Sequence, residues 1–308
     1  MRQVWPMALL CGMLGGCTPF HPPRPGDPVP DDPAAALAGC CEGEDARLGA
    51  YLGLFDQTTG GGAGALPPAL VRAGRDAALR RGWIEGRQGP QEWVVAQAEP
   101  FDVIVVSGKQ YLWARVTPGY FTHAAIYLGT EAELRAAGLW AHPALDPWRA
   151  LLRDRAMVVE ASGLAVEVLP LEQVMRVDAL ALLRPPAVGG RARDERLGRL
   201  MGLVGEPFDP RFDGDDRGAL YCTELVQAAM PETRLRSREV AGRALLHPDS
   251  VVADALTGEN GLRFAGFVAG TEEGWFTGTP GLVAATVGRH WPGGLVGGGA
   301  GPCARPGR

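Results

Sequence analysis

Apolar and polar positions along the chain change period several times. Short runs rich in valine, isoleucine and aromatic residues at 92–97, 102–107, 111–116, 121–128, 157–161, 165–169 and 179–183 predict β-strands. Ser162-Gly163 between two of them predicts a hairpin. Helical spacing appears at 45–55, 67–83, 131–137, 147–154, 171–175, 193–204, 218–230 and 248–256. A short last strand is expected at 263–268, and the Gly- and Pro-rich segment after 274 is expected to pack loosely. Strands followed by helices and one returning strand favour an α+β fold with a mainly antiparallel sheet.

The helix at 218–230 carries a cysteine. Cys222, Leu225, Val226 and Ala229 form one apolar stripe, and Asp215 and Asp216 are positioned to cap the first turn. Free backbone N–H groups and the positive end of the helix dipole stabilise negative charge there. A thiolate nucleophile is well placed at such a site, although a small core cysteine shows the same pattern. Glu224 lies off the cysteine's face and reads as solvated or structural.

A thiol nucleophile needs a base, and the base needs a group to orient it. His142 and His247 precede prolines, and His290 lies in the C-terminal segment; His123 alone stands on a strand expected in the core. On that strand His123, Ala125 and Tyr127 share a face. On the strand at 157–161, Val158 and Glu160 share a face, and a carboxylate within an apolar strand is costly unless paired. If the two strands are neighbours, Glu160 can hold one nitrogen of His123 while the other faces Cys222. Taken singly, a hydrogen-bonded core histidine and a solvent-facing glutamate are equally good readings.

Composition narrows the partners. The net charge of −5 argues against nucleic acid. Lys109 is the only lysine among 30 basic residues, and with 44 Gly and 26 Pro this points to codon bias, so arginine clusters are not read as phosphate sites. Arg2, the apolar run 4–14 and Leu14-Gly15-Gly16-Cys17 resemble a bacterial lipobox, which implies cleavage after 16 and lipidation of Cys17. Thr18 rather than aspartate after that cysteine implies the outer membrane, facing the periplasm. Seven prolines between 18 and 36 predict an extended tether. In an oxidising compartment Cys40 or Cys41 could pair with Cys303.

Four segments carry a family resemblance: Pro100 to Val106, Phe121-Thr122-His123-Ala124-Ala125-Ile126-Tyr127-Leu128-Gly129, Val158-Val159-Glu160-Ala161 and Tyr221-Cys222-Thr223-Glu224-Leu225-Val226. Their order resembles the permuted papain-like cysteine hydrolases of the YaeF/YiiX type, relatives of the NlpC-like peptidases, in which the histidine strand precedes the cysteine helix. The resemblance implies a permuted papain-like (NlpC-like) α+β fold with the sheet against the cysteine helix. It implies a Cys222–His123–Glu160 triad, an acyl-enzyme, and an oxyanion donor at the Cys222 N–H, with Tyr221 as a possible helper. Phe101 replaces a common glycine, Phe208 a common tyrosine, and 130–156 is inserted, which leaves substrate shape open.

The expected organisation is a signal peptide (1–17), tether (18–36), partly helical extension (37–92), catalytic domain (93–270) and tail (271–308). The expected substrate is an amide, a cell-wall peptide or an acyl amide; acyl transfer, lipid-acyl hydrolysis and a non-catalytic envelope binding protein are the alternatives. No cofactor is expected. A calcium loop from Asp213 to Glu224 is disfavoured by Arg217 at a ligand position.

Overall fold

The structure, a computed structural model, describes residues 22–43, 48–49, 52, 77–111, 114, 117–214 and 218–291. The lipobox with Cys17, Asp215, Asp216 and Cys303 lie outside the described residues, as does most of the expected helices at 45–55 and 67–83.

Among the described residues seven strands form one sheet. They are β1 (Val103–Ser107), β2 (His123–Gly129), β3 (Met157–Ser162), β4 (Ala165–Pro170), β5 (Ala179–Arg184), β8 (Arg263–Gly270) and β9 (Trp275–Thr277), in the order β4-β3-β2-β1-β5-β8-β9. Each neighbouring pair is antiparallel. The β3–β4 hairpin turns at Gly163, whose φ of 64° suits glycine. A small second sheet joins β6 (Arg238–Val240) and β7 (Arg243–Leu245).

Both sheet faces are covered, which is why the central strands are apolar without alternation. On one face Val103, Val105, Ala124, Ile126, Val159 and Ala181 join a core with Leu197, Leu200, Leu225 and Val252. Those four come from α6 (Gly190–Gly202), α7 (Cys222–Ala229) and α8 (Pro248–Thr257). On the other face Ile104, Val106, Ala125, Tyr127 and Val158 meet Ile84, Val94, Leu171 and Val174. The inserted segment forms α3 (Glu131–Ala136), a 3-10 turn (Pro143–Trp148) and α4 (Arg149–Asp154). Its Leu134, Leu139, Leu145 and Leu152 are buried in the first core, alongside α6 residues.

Several expectations need correction. Residues 92–97 are not a strand but part of α2 (Gln88–Gln97). Pro90 sits in its first turn, where a missing N–H costs nothing. The Trp93 ring lies over Gly266, where a Cβ would stand 2.7 Å from the ring. Tertiary packing thus overrides the strand preference of Val94 and Val95. The described residues 77–83 are not helical: Ala78 makes an isolated bridge to Tyr111, and there is no strand at the described positions of 111–116.

The C-terminal segment is not loose as far as residue 291. Strand β9 extends the sheet, and α9 (Pro280–Arg289), capped by Thr279, buries Leu282, Val283, Ala284 and Val287. The Pro-rich stretch does not stand away from the body either. A short helix α1 (Pro33–Ala36), capped by Asp32, packs on α9, where Cβ atoms at Gly281 and Gly288 would strike Val29 and Ala36. Asp27 pairs with Arg289 at 3.3 Å. Cys40 and Cys41 are bonded to each other.

Candidate active site

Helix α7 starts at Cys222, later than the spacing suggested. Its N-cap is Tyr221, whose N–H is accepted by the Glu224 carboxylate at 3.2 Å. Glu224 is therefore structural. Cys222 becomes the first helical residue, 6% exposed, with its backbone N–H in the turn that has no intrahelical acceptors. It is the free cysteine among the described residues. The Tyr221 hydroxyl accepts the Leu246 N–H at 3.0 Å, and its ring packs edge-on to Phe212. Burial, then the nearby Glu224 charge, raises its pKa and keeps it a neutral phenol.

His123 opens β2. The β2–β3 register runs Tyr127↔Val158 and Ile126↔Val159, so the next step sets Ala125 against Glu160. The carboxylate therefore meets His123 on the diagonal rather than directly opposite. The bond is made all the same: His123 Nε2 and Glu160 Oε2 are 3.0 Å apart. With Nε2 taken by Glu160, Nδ1 is the nitrogen left for the Cys222 side chain, whose influence raises the proton affinity of the ring.

Sequence reasoning missed Ser162, whose hydroxyl donates to the other Glu160 oxygen at 2.6 Å. Its position two residues beyond Glu160, on the same strand face, was the available signal. Burial pulls the His123 pKa down. The Glu160 charge, followed by the Cys222 hydrogen bond and charge, outweighs it and lifts the value to about 10. A cationic imidazole is thus held between two acidic side chains.

Two cavities flank the trio and share Thr122 as a wall. One lies on the Cys222 side, lined by Leu48, Thr117, Phe212, Tyr221, Leu245, Leu246 and Pro248. The other, the roomier, lies on the His123 side, lined by Glu160, Ser162, Tyr111, Gln173, Val174 and Arg176. The insertion at 130–156 contributes to neither. His142 and His290 lie outside both, while His247 lines the Cys222 cavity. Among the described residues no group of three His, Cys, Asp or Glu could hold a metal ion. No helix among them is long and apolar enough to cross a membrane.

The arrangement matches known proteins at the level of family. One solved structure, titled a metalloprotein yiiX from Escherichia coli O157:H7, aligns with a TM-score of 0.35 at 13% identity, covering 59% of this chain and 97% of that one. No curated protein matches the chain. The model of a family described as "Permuted papain-like amidase enzyme, YaeF/YiiX, C92 family" matches residues 97–266, more than half of the chain. That span holds the His123 strand, the Glu160 strand and the Cys222 helix in permuted order, and the chain belongs to this family of papain-like cysteine amidases.

Proposed function

We propose that the protein hydrolyses an amide through an acyl-enzyme on Cys222, with His123 as acid and base and Glu160 holding the imidazole. The observation that carries this reading is the His123 ring bonded through Nε2 to Glu160 while the Cys222 side chain also raises its proton affinity. The sulfur attacks the amide carbon and a C–S bond forms. The carbonyl π pair moves to oxygen, where the Cys222 N–H at the helix start is the donor. As the C–N bond breaks, the imidazolium gives its proton to the departing amine. Water, deprotonated by the now neutral His123, attacks the thioester, the C–S bond breaks, and the carboxylic acid leaves. Tyr221 acts by packing and by holding the 246 backbone rather than as an oxyanion donor.

The N-terminal sequence supports processing before Cys17 and lipid attachment there, which would place the enzyme on the periplasmic side of the outer membrane. In Cys17→Ala, lipid labelling is lost and the protein moves to the soluble fraction.

The catalytic reading is tested by alkylation with iodoacetamide. Cys222 labels rapidly at neutral pH, and His123→Ala slows labelling at least about a hundredfold. Equal rates in the two proteins would refute it. An acyl thioester on Cys222, trapped from envelope extract and read by mass spectrometry, identifies the acyl group.

A further inference from the structure

The Glu160 carboxylate is held at both oxygens. Oε2 meets His123 Nε2 at 3.0 Å, and Oε1 accepts the Ser162 hydroxyl at 2.6 Å. The second distance is that of a hydroxyl bound to an ionised carboxylate. Ser162 closes β3 two residues beyond Glu160, so strand alternation sets both side chains on one face. Gly163 turns the chain at once, and Ser162 is in register with Ala165 on β4, which fixes the place from which the hydroxyl reaches.

The surroundings say what the carboxylate would do without that bond. Glu167 stands directly opposite Glu160 across the β3–β4 ladder, and like charges in that relation repel. The roomier cavity opens beside Glu160, so the carboxylate has space to swing away from the ring. The titratable and charged groups around the His123–Glu160 pair are Cys222 from α7, Glu167 from β4, and Tyr111 and Arg176 across that cavity.

Two effects of the hydroxyl oppose each other. Donation draws charge from the carboxylate, which by itself weakens its hold on the imidazole proton. Anchoring keeps Oε2 aimed at Nε2, which strengthens that hold. A hydrogen bond to an ionised group is worth about tenfold to a hundredfold in an equilibrium. The charge drawn off reaches the ring only at second hand, so anchoring is the larger effect.

We infer that Ser162 is a positioning residue of the active site: through its bond to Oε1 it keeps the Glu160 carboxylate against His123, and so keeps the imidazole aimed at Cys222. This rests on the catalytic reading above and extends the trio to four side chains, the last of which acts through Glu160.

The test uses the full chain and two readouts. One is the rate of Cys222 alkylation by iodoacetamide at neutral pH. The other is the titration of the His123 ring, followed by NMR on histidine-labelled protein, with a midpoint of about 10 in the parent. In Ser162→Ala the midpoint falls by about one pH unit and alkylation slows about tenfold. Ser162→Thr keeps the hydroxyl and restores both. Ser162→Val, the same shape as threonine without the hydroxyl, behaves as alanine does. In a Glu160→Gln background Ser162→Ala adds nothing further, because the group it acts through is already gone.

A midpoint that holds or rises in Ser162→Ala and Ser162→Val would overturn the assignment, a rise meaning that the hydroxyl only withdraws charge. So would a loss that threonine fails to restore, or one that persists undiminished in Glu160→Gln. His123→Ala, alkylated alongside, separates the two levels. If parent labelling does not depend on His123, the catalytic reading falls and the role of Ser162 with it; if it does, only the role of Ser162 is at stake.

Discussion

At the scale of single residues, the site rests on one charge. The Glu160 carboxylate is the largest influence holding the His123 proton against burial, and the resulting value of about 10 keeps the imidazole protonated through neutrality. The proton is therefore present below about pH 10 and lost above it. We expect kcat/KM to fall on the alkaline side only near that pH. In Glu160→Gln the falling limb moves towards neutrality, a shift that a pH–rate profile reads directly. A limb that stays in place would show that Glu160 does not set the proton affinity.

Phe101 is a second single-residue case. It has a φ of 79°, in the left-handed region that favours glycine, and its buried ring lies under the Arg196 guanidinium. Losing the ring costs about 3–5 kcal/mol, while glycine recovers about 1–2 kcal/mol of backbone strain. Phe101→Gly should therefore be more stable than Phe101→Ala by about 1 kcal/mol in urea denaturation, the reverse of the usual order. The trio itself was legible because each member was a local anomaly: a histidine and a carboxylate on apolar strands, and a cysteine at a helix start. Ser162 carried only the signal of its position, since a serine beside a turn carries no such cost.

At the scale of elements, the pattern located β1 to β5 and α6 to α8 but misread the segments whose state depends on a distant partner. Two valines in 92–97 look like a strand until Trp93 is seen to need the gap above Gly266. Gly266 is the recess in its strand that the Trp93 ring occupies. Gly266→Ala should cost about 1–3 kcal/mol by overpacking, and Trp93→Leu should reduce that cost. A double-mutant cycle in urea with no coupling would contradict the packing account.

The stretch after 274 was misread for a related reason. Its glycines suggested looseness, yet Gly281 and Gly288 give α9 the bare surface on which residues 29–36 lie. Sequence composition cannot tell a glycine that frees the chain from one that admits another segment.

At the scale of the whole molecule, one buried polar network ties together parts of the chain far apart in sequence. The Asp249 carboxylate accepts the N–H groups of Tyr120 and Phe121 at 2.7 and 2.6 Å and the Trp291 indole at 2.6 Å. A Cβ at Gly119 would lie 2.1 Å from it, so only glycine fits, at φ 75°. His247 caps α8 by accepting the Asp249 N–H, stacks edge-on to Trp291, and feels the Lys109 charge. Burial, then Lys109, lowers the His247 pKa to about 3, while burial raises Asp249 to about 6 despite its three donors.

The two groups act on stability with opposite signs. His247 binds its proton more readily unfolded, so its contribution is present above about pH 6.5 and is lost as the pH falls towards 3. Asp249 binds its proton more readily folded, so its contribution is present below about pH 3.8 and is lost as the pH rises through 6. Between about pH 4 and 6 the slopes oppose each other. In His247→Asn the unfolding free energy should gain up to about 1.4 kcal/mol per unit of acidification relative to the parent, and in Asp249→Asn it should lose as much. Urea midpoints at pH 4, 5 and 6 measure both slopes, and slopes that move the same way in the two variants would show that this network does not titrate as its burial requires.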